Sequence, residues 1–351
     1  MPKNKKDEGL KEKISYNALA KFHLGEYSKL KKDFEKFKSW DNAWNIRQKE
    51  SEINAEKEWS NLQKLKIALT LSTDHDFPKN LTEIPWPPFA IYQKGEKIKN
   101  EELIVAIVGT RKASDHGKKI AYEFAKDLSR LNVSVISGLA LGIDAEAHKG
   151  AIINKKRTIA VLANSLETIY PSTNSSIAKS ILENGGVLIS EYPIGSATLA
   201  RKFIERNRIV SGLSRAIIVV EAPEKSGGMH TARFALDQNR EIFVVPGSIN
   251  NQNYKGSNGL IKAGANLIDE IKDVTDFLEI DLDSKTKEDS LSKLDNEEKM
   301  VYDLISLSNI NLSMENICNT TKLPMEKVLI SLANLEINNL IQEKFGKYSK
   351  I

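Results

Sequence analysis

Three glycine turns hold the residue types best suited to chemistry, and each lies between an apolar run and a helical segment. In the first, Gly109-Thr110-Arg111-Lys112-Ala113-Ser114, the glycine lets the backbone turn off a strand. The free N–H groups of the next helix then make an anion site that Arg111 and Ser114 complete with charge-assisted bonds. This is a phosphate cradle, although neither Gly-x-Gly-x-x-Gly nor the Walker sequence is present; a tight turn with a surface arginine is the plainer alternative. In the second, Ser137-Gly138-Leu139-Ala140-Leu141-Gly142-Ile143-Asp144, two glycines bring backbone close to a ligand or a neighbouring strand. Asp144 there suits a helix cap. The third, Lys225-Ser226-Gly227-Gly228-Met229-His230-Thr231, again follows an apolar strand and precedes a helix. Three such turns on one sheet edge would form a single anion-binding groove.

Between the second and third turns runs Arg201-Lys202-Phe203-Ile204-Glu205-Arg206-Asn207-Arg208, four cations and an aromatic ring at the start of an amphipathic helix. Cations hold phosphates and an aromatic face stacks a base, the two devices of single-strand nucleic-acid sites. The competing use is structural, with Phe203 in the core and arginines spent inside the fold. It is strongest for Arg206 and Arg208, which flank Asn207 and cannot all face one ligand. His23, His75, His116, His148 and His230 are scattered without ligand spacing, so no metal is expected. His148 reads as a packing residue.

The elements that must position these turns follow from periodicity. Near-continuous apolar runs at 103–108, 133–137, 158–162, 187–190, 216–221 and 242–245 alternate with helical stretches at 118–131, 144–154, 175–184, 203–213 and 231–238. Such a pattern predicts an α/β fold, an extended Rossmann-like, doubly wound, mostly parallel sheet covered on both faces. Ahead of it, apolar positions at three-to-four spacing predict a small all-helical domain over 1–70. Residues 77–95, with Pro78, Pro85, Pro87 and Pro88, predict an extended connector that packs Ile84, Trp86, Phe89 and Tyr92 against something larger. Residues 281–292 read as a polar linker, and 293–351 as three short helices and a hairpin, a winged-helix domain. The Rossmann-like domain then runs from 71 to 280.

Composition narrows the classes. The chain has 351 residues, 40% of them hydrophobic, with 51 Lys plus Arg against 47 Asp plus Glu. This is ordinary for two or three soluble domains. Its apolar runs fall far short of the about 20 residues of a membrane helix, and Met1 to Lys13 lacks the apolar core of a secretion signal, so the cytoplasm is expected. The lone Cys318 fits a reducing compartment and excludes an internal disulfide. The net charge of +4 conceals a division: residues 1–100 net +5, 101–275 net +4 and 276–351 net −5. The basic parts and the acidic end are therefore expected to meet different partners.

Taken together, Ile107-Val108-Gly109-Thr110-Arg111, Ser137-Gly138-Leu139-Ala140 with Gly142-Ile143-Asp144, Ala147-His148-Lys149-Gly150-Ala151, Ile169-Tyr170-Pro171, Ser190-Glu191-Tyr192, Arg206-Asn207-Arg208-Ile209-Val210-Ser211-Gly212 and Pro246-Gly247-Ser248 resemble the DNA-processing protein A family, DprA or Smf, of bacterial natural transformation. The resemblance covers about 77–272. It implies a non-enzymatic, cofactor-free, dimeric binder of single-stranded DNA. Such a protein protects incoming strands and loads the RecA recombinase onto them despite single-strand binding protein. It likens the N-terminal helices to the family's SAM or helix-hairpin-helix-like domain and the C-terminal segment to its winged helix. The implied DNA site comprises Gly109, Thr110, Arg111, Lys112, Ser114, Gly138, Arg201, Lys202, Phe203, Arg206, Asn207, Arg208, Ser226 and Gly227. Two rivals stand beside it. One is a nucleotide hydrolase of the Rossmann-like lysine-decarboxylase-like group, whose glycine turn is followed by a glutamate where this chain has Ala232 or Arg233. The other is a ligand-sensing regulator, which the acidic recognition helix opening at Pro324 disfavours.

Overall fold

Apolar side chains alternate along the central strands, and the alternation divides the core in two. Ile159, Val161, Val187 and Ile189 enter one cluster, and Ala160, Leu162 and Leu188 the other, as a period of two requires. The structure, a computed structural model, describes residues 5–280, 291, 294–308, 310–338 and 340–350. It divides into two units, Met1–Val274 and Thr275–Ile351.

The first unit opens with four helices, α1 (Lys5–Phe22), α2 (Tyr27–Phe37), α3 (Trp40–Arg47) and α4 (Ala55–Lys64). Then come β1 (Ala68–Leu71), the single turn α5 (Lys79–Thr82) and β2 (Ala90–Gly95). The alternating part follows: β3 (Ile104–Val108), α6 (Asp115–Arg130), β4 (Ser134–Ser137), α7 (Ile143–Ile153), β5 (Thr158–Leu162), α8 (Ser175–Glu183), β6 (Val187–Ser190), α9 (Ala200–Leu213), β7 (Ala216–Val219), α10 (Gly227–Asp237), β8 (Glu241–Val244), α11 (Lys255–Lys262) and β9 (Asn266–Leu267), and the division between the units falls within α12 (Lys272–Phe277). Among the described residues the sheet has nine strands in the order β1-β2-β6-β5-β4-β3-β7-β8-β9. Pairing is parallel from β6 to β9 and antiparallel at β1–β2 and β2–β6. The chain winds outward from β3 to β6, returns to the other side of β3 as β7, and winds outward again. A doubly wound sheet of this kind has its crevice at that reversal, beyond the carboxyl ends of β3 and β7.

The proline-rich connector ends as a strand within the sheet, β2. Its residues serve both faces: Ile84 lies with Phe77 and Leu81 in one core, and Tyr92 in the other. The N-terminal helices share that second core. Tyr16, Leu19, Leu30, Trp40, Trp44 and Leu62 pack in one cluster with Ala90, Tyr92, Ala160 and Leu188 of the sheet, and Tyr92 Oη donates to Asn17 Oδ1 at 3.0 Å. Phe89 stacks on Tyr27 at 4.9 Å and meets the edge of Trp40 at 5.2 Å. Helical segment and sheet thus belong to one unit.

The second unit contains α13 (Asn296–Leu307), β10 (Leu312–Ser313), α14 (Met314–Thr321), α15 (Met325–Ile337), β11 (Ile341–Lys344) and β12 (Lys347–Lys350). Its antiparallel sheet runs β10-β12-β11. An Asp295–Glu298 capping box starts α13, and Val301, Ile305, Ile317, Val328, Leu332 and Leu335 form a core of its own. The expected linker at 281–292 lies, Leu291 apart, outside the described residues. No helix among the described residues is long and apolar enough to cross a membrane.

Candidate nucleic-acid interface

The reversal of strand order places a groove of about 1010 Å³ beyond β3, β4 and β7. The first turn gives it Gly109 and Arg111, the second Gly138, α9 gives Phe203, Arg206 and Asn207, and the third turn gives Ser226 and Gly227. Arg111 is exposed, and its guanidinium lies 4.9 Å from the centroid of the Phe203 ring. Phe203 is half-buried and meets the edge of Tyr170 at 5.6 Å. A cation and an aromatic face therefore share the groove, the pairing that suits phosphate and base together.

The first turn is not the open cradle its sequence suggests. Ser114 caps α6 by accepting from Gly117 N–H at 3.0 Å, but its own N–H donates to Glu221 Oε2 at 2.9 Å and its hydroxyl donates to Glu221 Oε1. Asn253 adds a third donor to that carboxylate at 3.2 Å and bonds Lys112 O at 3.1 Å. Glu221 is fully buried after β7. The anion at the start of α6 is thus the protein's own, so Ser114 has no donor left for phosphate. Thr110 is buried, with its N–H on Glu221 O at 2.7 Å and its hydroxyl accepting from Lys112 N–H. Lys112 is exposed but does not line the groove. Of the five residues expected from this turn, Gly109 and Arg111 reach the groove.

The second turn is braced from within. Gly138 and Ala140 donate to Asp144 Oδ2 at 3.1 and 3.4 Å, so Asp144 folds the turn rather than capping α7, whose N-cap is Gly142. Burial raises the Asp144 carboxyl above the usual range, opposed by Arg206. Gly138 is required here because a Cβ would stand 2.2 Å from the Arg206 guanidinium. His148 packs as expected. The hydroxyl of Thr158 is spent on Val135 O and accepts from His148 Nδ1 at 2.9 Å, and burial pushes the imidazole down to about 3.

Helix α9 separates the four cations, and three expected contacts prove to be internal. Lys202 is 2% exposed, donates to Ser196 Oγ at 2.6 Å and Ala197 O at 2.9 Å, and lies over Tyr192; burial lowers its ammonium. Arg206 is buried on the carbonyls of Gly138, at 2.6 Å, and Val161, tying the ends of β4 and β5, and burial pushes it down to about 10. Arg208 is fully buried, bonded to both oxygens of Glu191 at 2.7 and 2.8 Å and lying 4.4 Å over Trp86. The physical reason is common to all three. Only one face of a packed helix can meet solvent, and buried cations need carbonyl or carboxylate partners. Asn207 is likewise turned inward, donating to Gly227 O at 3.3 Å and accepting from Arg206. Arg201 is exposed and pairs with Glu26 at 3.0 Å, away from the groove lining.

The third turn is the open one. Helix α10 starts at Gly227, four residues before the periodicity places it, so its free first-turn N–H groups belong to residues on the groove. Ser226 occupies the N-cap position without making the cap bond, and its buried hydroxyl has no partner among the described residues. A Cβ on Gly227 would enter open space. Exposed Lys225 and Arg233 line the same wall. Neither of these two, nor Tyr170 or Glu221, is among the contacts expected from the sequence. Tyr170 was visible only as part of a motif, and nothing local marks Glu221, which meets Ser114 across 107 positions.

Residues 68–279 match the profile of the family described as DNA recombination-mediator protein A. The chain belongs to that family. It is 41% identical over 206 residues to protein Smf of Escherichia coli K12, a match covering 59% of this chain and 55% of that protein. With the DNA processing protein DprA of Bacillus subtilis it shares 37% over 203 residues, 58% of this chain and 68% of that protein. The chain spans about half the length of the curated Smf relatives from E. coli and Synechocystis. Among solved structures, DprA of Streptococcus pneumoniae superposes with a TM-score of 0.60 at 32% identity, covering 69% of this chain and 83% of that one. DprA of Helicobacter pylori, whose structure concerns its single-stranded DNA binding mode, gives 0.55 at 31%, covering 61% and 95%. The matched span contains every element that builds the groove.

Proposed function

We propose that the protein holds single-stranded DNA in the groove between the first and third turns, with phosphate at Arg111 and the start of α10 and a base against Phe203. The observation that carries this is the guanidinium of Arg111 over the Phe203 ring beside a helix start whose N-cap serine makes no cap bond and whose hydroxyl has no partner among the described residues. Membership of the recombination-mediator family and the subject of the H. pylori structure support it. Loading of RecA onto the bound strand during transformation, displacement of single-strand binding protein, a homodimer and a cytoplasmic setting complete the reading, on the strength of the family.

A binding role rather than a hydrolytic one is supported by the groove's carboxylates. Asp144 is engaged by two backbone N–H groups and Glu224 pairs with Lys255 at 3.1 Å. Both are thus engaged within the protein. The second unit reads as a winged helix that does not grip duplex DNA. Its third helix, α15, exposes Met325, Leu329, Ile330 and Ile337, and its one lysine, Lys327, is paired with Glu297. A salt-titrated gel shift with single- and double-stranded oligonucleotides, run beside an AMP hydrolysis assay, tests the reading. Single-strand preference that falls steeply with salt, without hydrolysis, is expected; hydrolysis, or duplex binding of equal strength, would reject it.

A further inference from the structure

The start of α6 has the donors of a phosphate site and already contains an anion. The Ser114 N–H, the Ser114 hydroxyl and the Asn253 amide converge on the Glu221 carboxylate from separate segments. Gly117 makes room for it, since a Cβ there would lie 2.5 Å from the carboxylate. A buried carboxylate is costly unless its oxygens are satisfied, and its flanking residues, Val220 and Ala222, show that the local packing is apolar. A neutral side chain could fill the same space. What the carboxylate adds is repulsion of a second anion at Ser114, three residues after Arg111.

We propose that Glu221 is an internal stand-in for phosphate that keeps the backbone of the bound strand off the first turn, so that phosphate goes to Arg111 and the third turn and a base reaches Phe203. This rests on the single-strand reading and deepens it. Glu221 is a positioning residue that fixes the register of the strand on the groove.

The test uses the full chain with Glu221→Ala and Glu221→Gln. In Glu221→Ala the Ser114 donors are freed. Inorganic phosphate should then raise the melting temperature more than it does for the parent, and the salt dependence of oligo-dT binding should steepen by about 0.7 in log K per log salt, one added phosphate contact. Glu221→Gln keeps the plug and an acceptor for the Ser114 N–H but loses the charge. It should bind oligo-dT severalfold more tightly at low salt, with the parental slope. Should Glu221→Ala not melt cooperatively, Glu221→Gln decides alone. An equal phosphate response in parent and Glu221→Ala, or no gain in Glu221→Gln, would overturn the proposal. The phosphate arm contains no DNA, so a parent that fails to bind oligo-dT would reject the single-strand reading and with it the positioning role, while the phosphate response still decides whether Glu221 occupies the anion position at Ser114.

Discussion

The starts of α6 and α10 share a device, a loop off a parallel strand that leads to a serine at the N-cap position, yet they do opposite things. At α6 the serine caps the helix and a buried glutamate fills the anion position. At α10 the serine makes no cap bond and the glycine beside it faces open groove. The difference teaches that a free helix start is a property of what comes from elsewhere in the fold. Glu221, just past the strand that precedes α10, closes the first turn and leaves the third to take a ligand.

The sharpest way to break this comparison is to add one methyl group on each side. Gly117→Ala should destabilise the first unit by about 2–4 kcal/mol, because the pinned carboxylate cannot yield, even though alanine is the better helix former. Gly227→Ala should leave stability within about 0.5 kcal/mol and weaken oligo-dT binding about tenfold, roughly 1.4 kcal/mol. Chemical denaturation and a binding titration read both; a stable Gly117→Ala protein would undo the account of the closed turn.

Next in size is the division of cations. Lys202→Ala should cost about 1–3 kcal/mol through the acceptors it abandons and leave the salt dependence of DNA binding unchanged. Arg111→Ala and Phe203→Ala should each keep the parental melting temperature and lose about tenfold in affinity, as one stacking or phosphate contact requires. If Lys202→Ala instead flattened the salt dependence at constant melting temperature, the buried lysine would be a DNA contact after all. The smallest contrast lies between the two serines. Ser114→Ala should cost about 1 kcal/mol as a lost cap, whereas Ser226→Ala should cost less than about 0.5 kcal/mol and act on binding. Equal losses of stability would mean that both starts are capped.

The central strands were legible because each is a continuous apolar run: 158–162 and 187–190 coincide with β5 and β6. The outer strands were not. β2 follows four prolines within 11 residues, β1 has four residues after a helix, and β9 has two. Their pairing with distant strands, rather than their own propensity, makes them strands. Periodicity alone starts helix α10 late because Gly227-Gly228 reads as a break, although glycine at a helix start also permits close approach. In the site, Arg111 and Phe203 were legible from type and position. The burial of Lys202, Arg206 and Arg208 was not, since their partners Ser196, Val161 and Glu191 come from other segments and are revealed only by packing.

Arg208 carries one more consequence. Its guanidinium joins α9 to Glu191 after β6 and lies over both Trp86 of the connector and Tyr27 of α2. A cation so enclosed cannot exchange those neighbours for water without bringing charge, rings and carboxylate apart together, so opening of the helical segment and fraying of the sheet become a single cooperative event. A chain shortened to begin after α4 would lose the roof over its sheet, and the N-terminal helices are better regarded as part of the foldon that supports the groove than as an appendage to it.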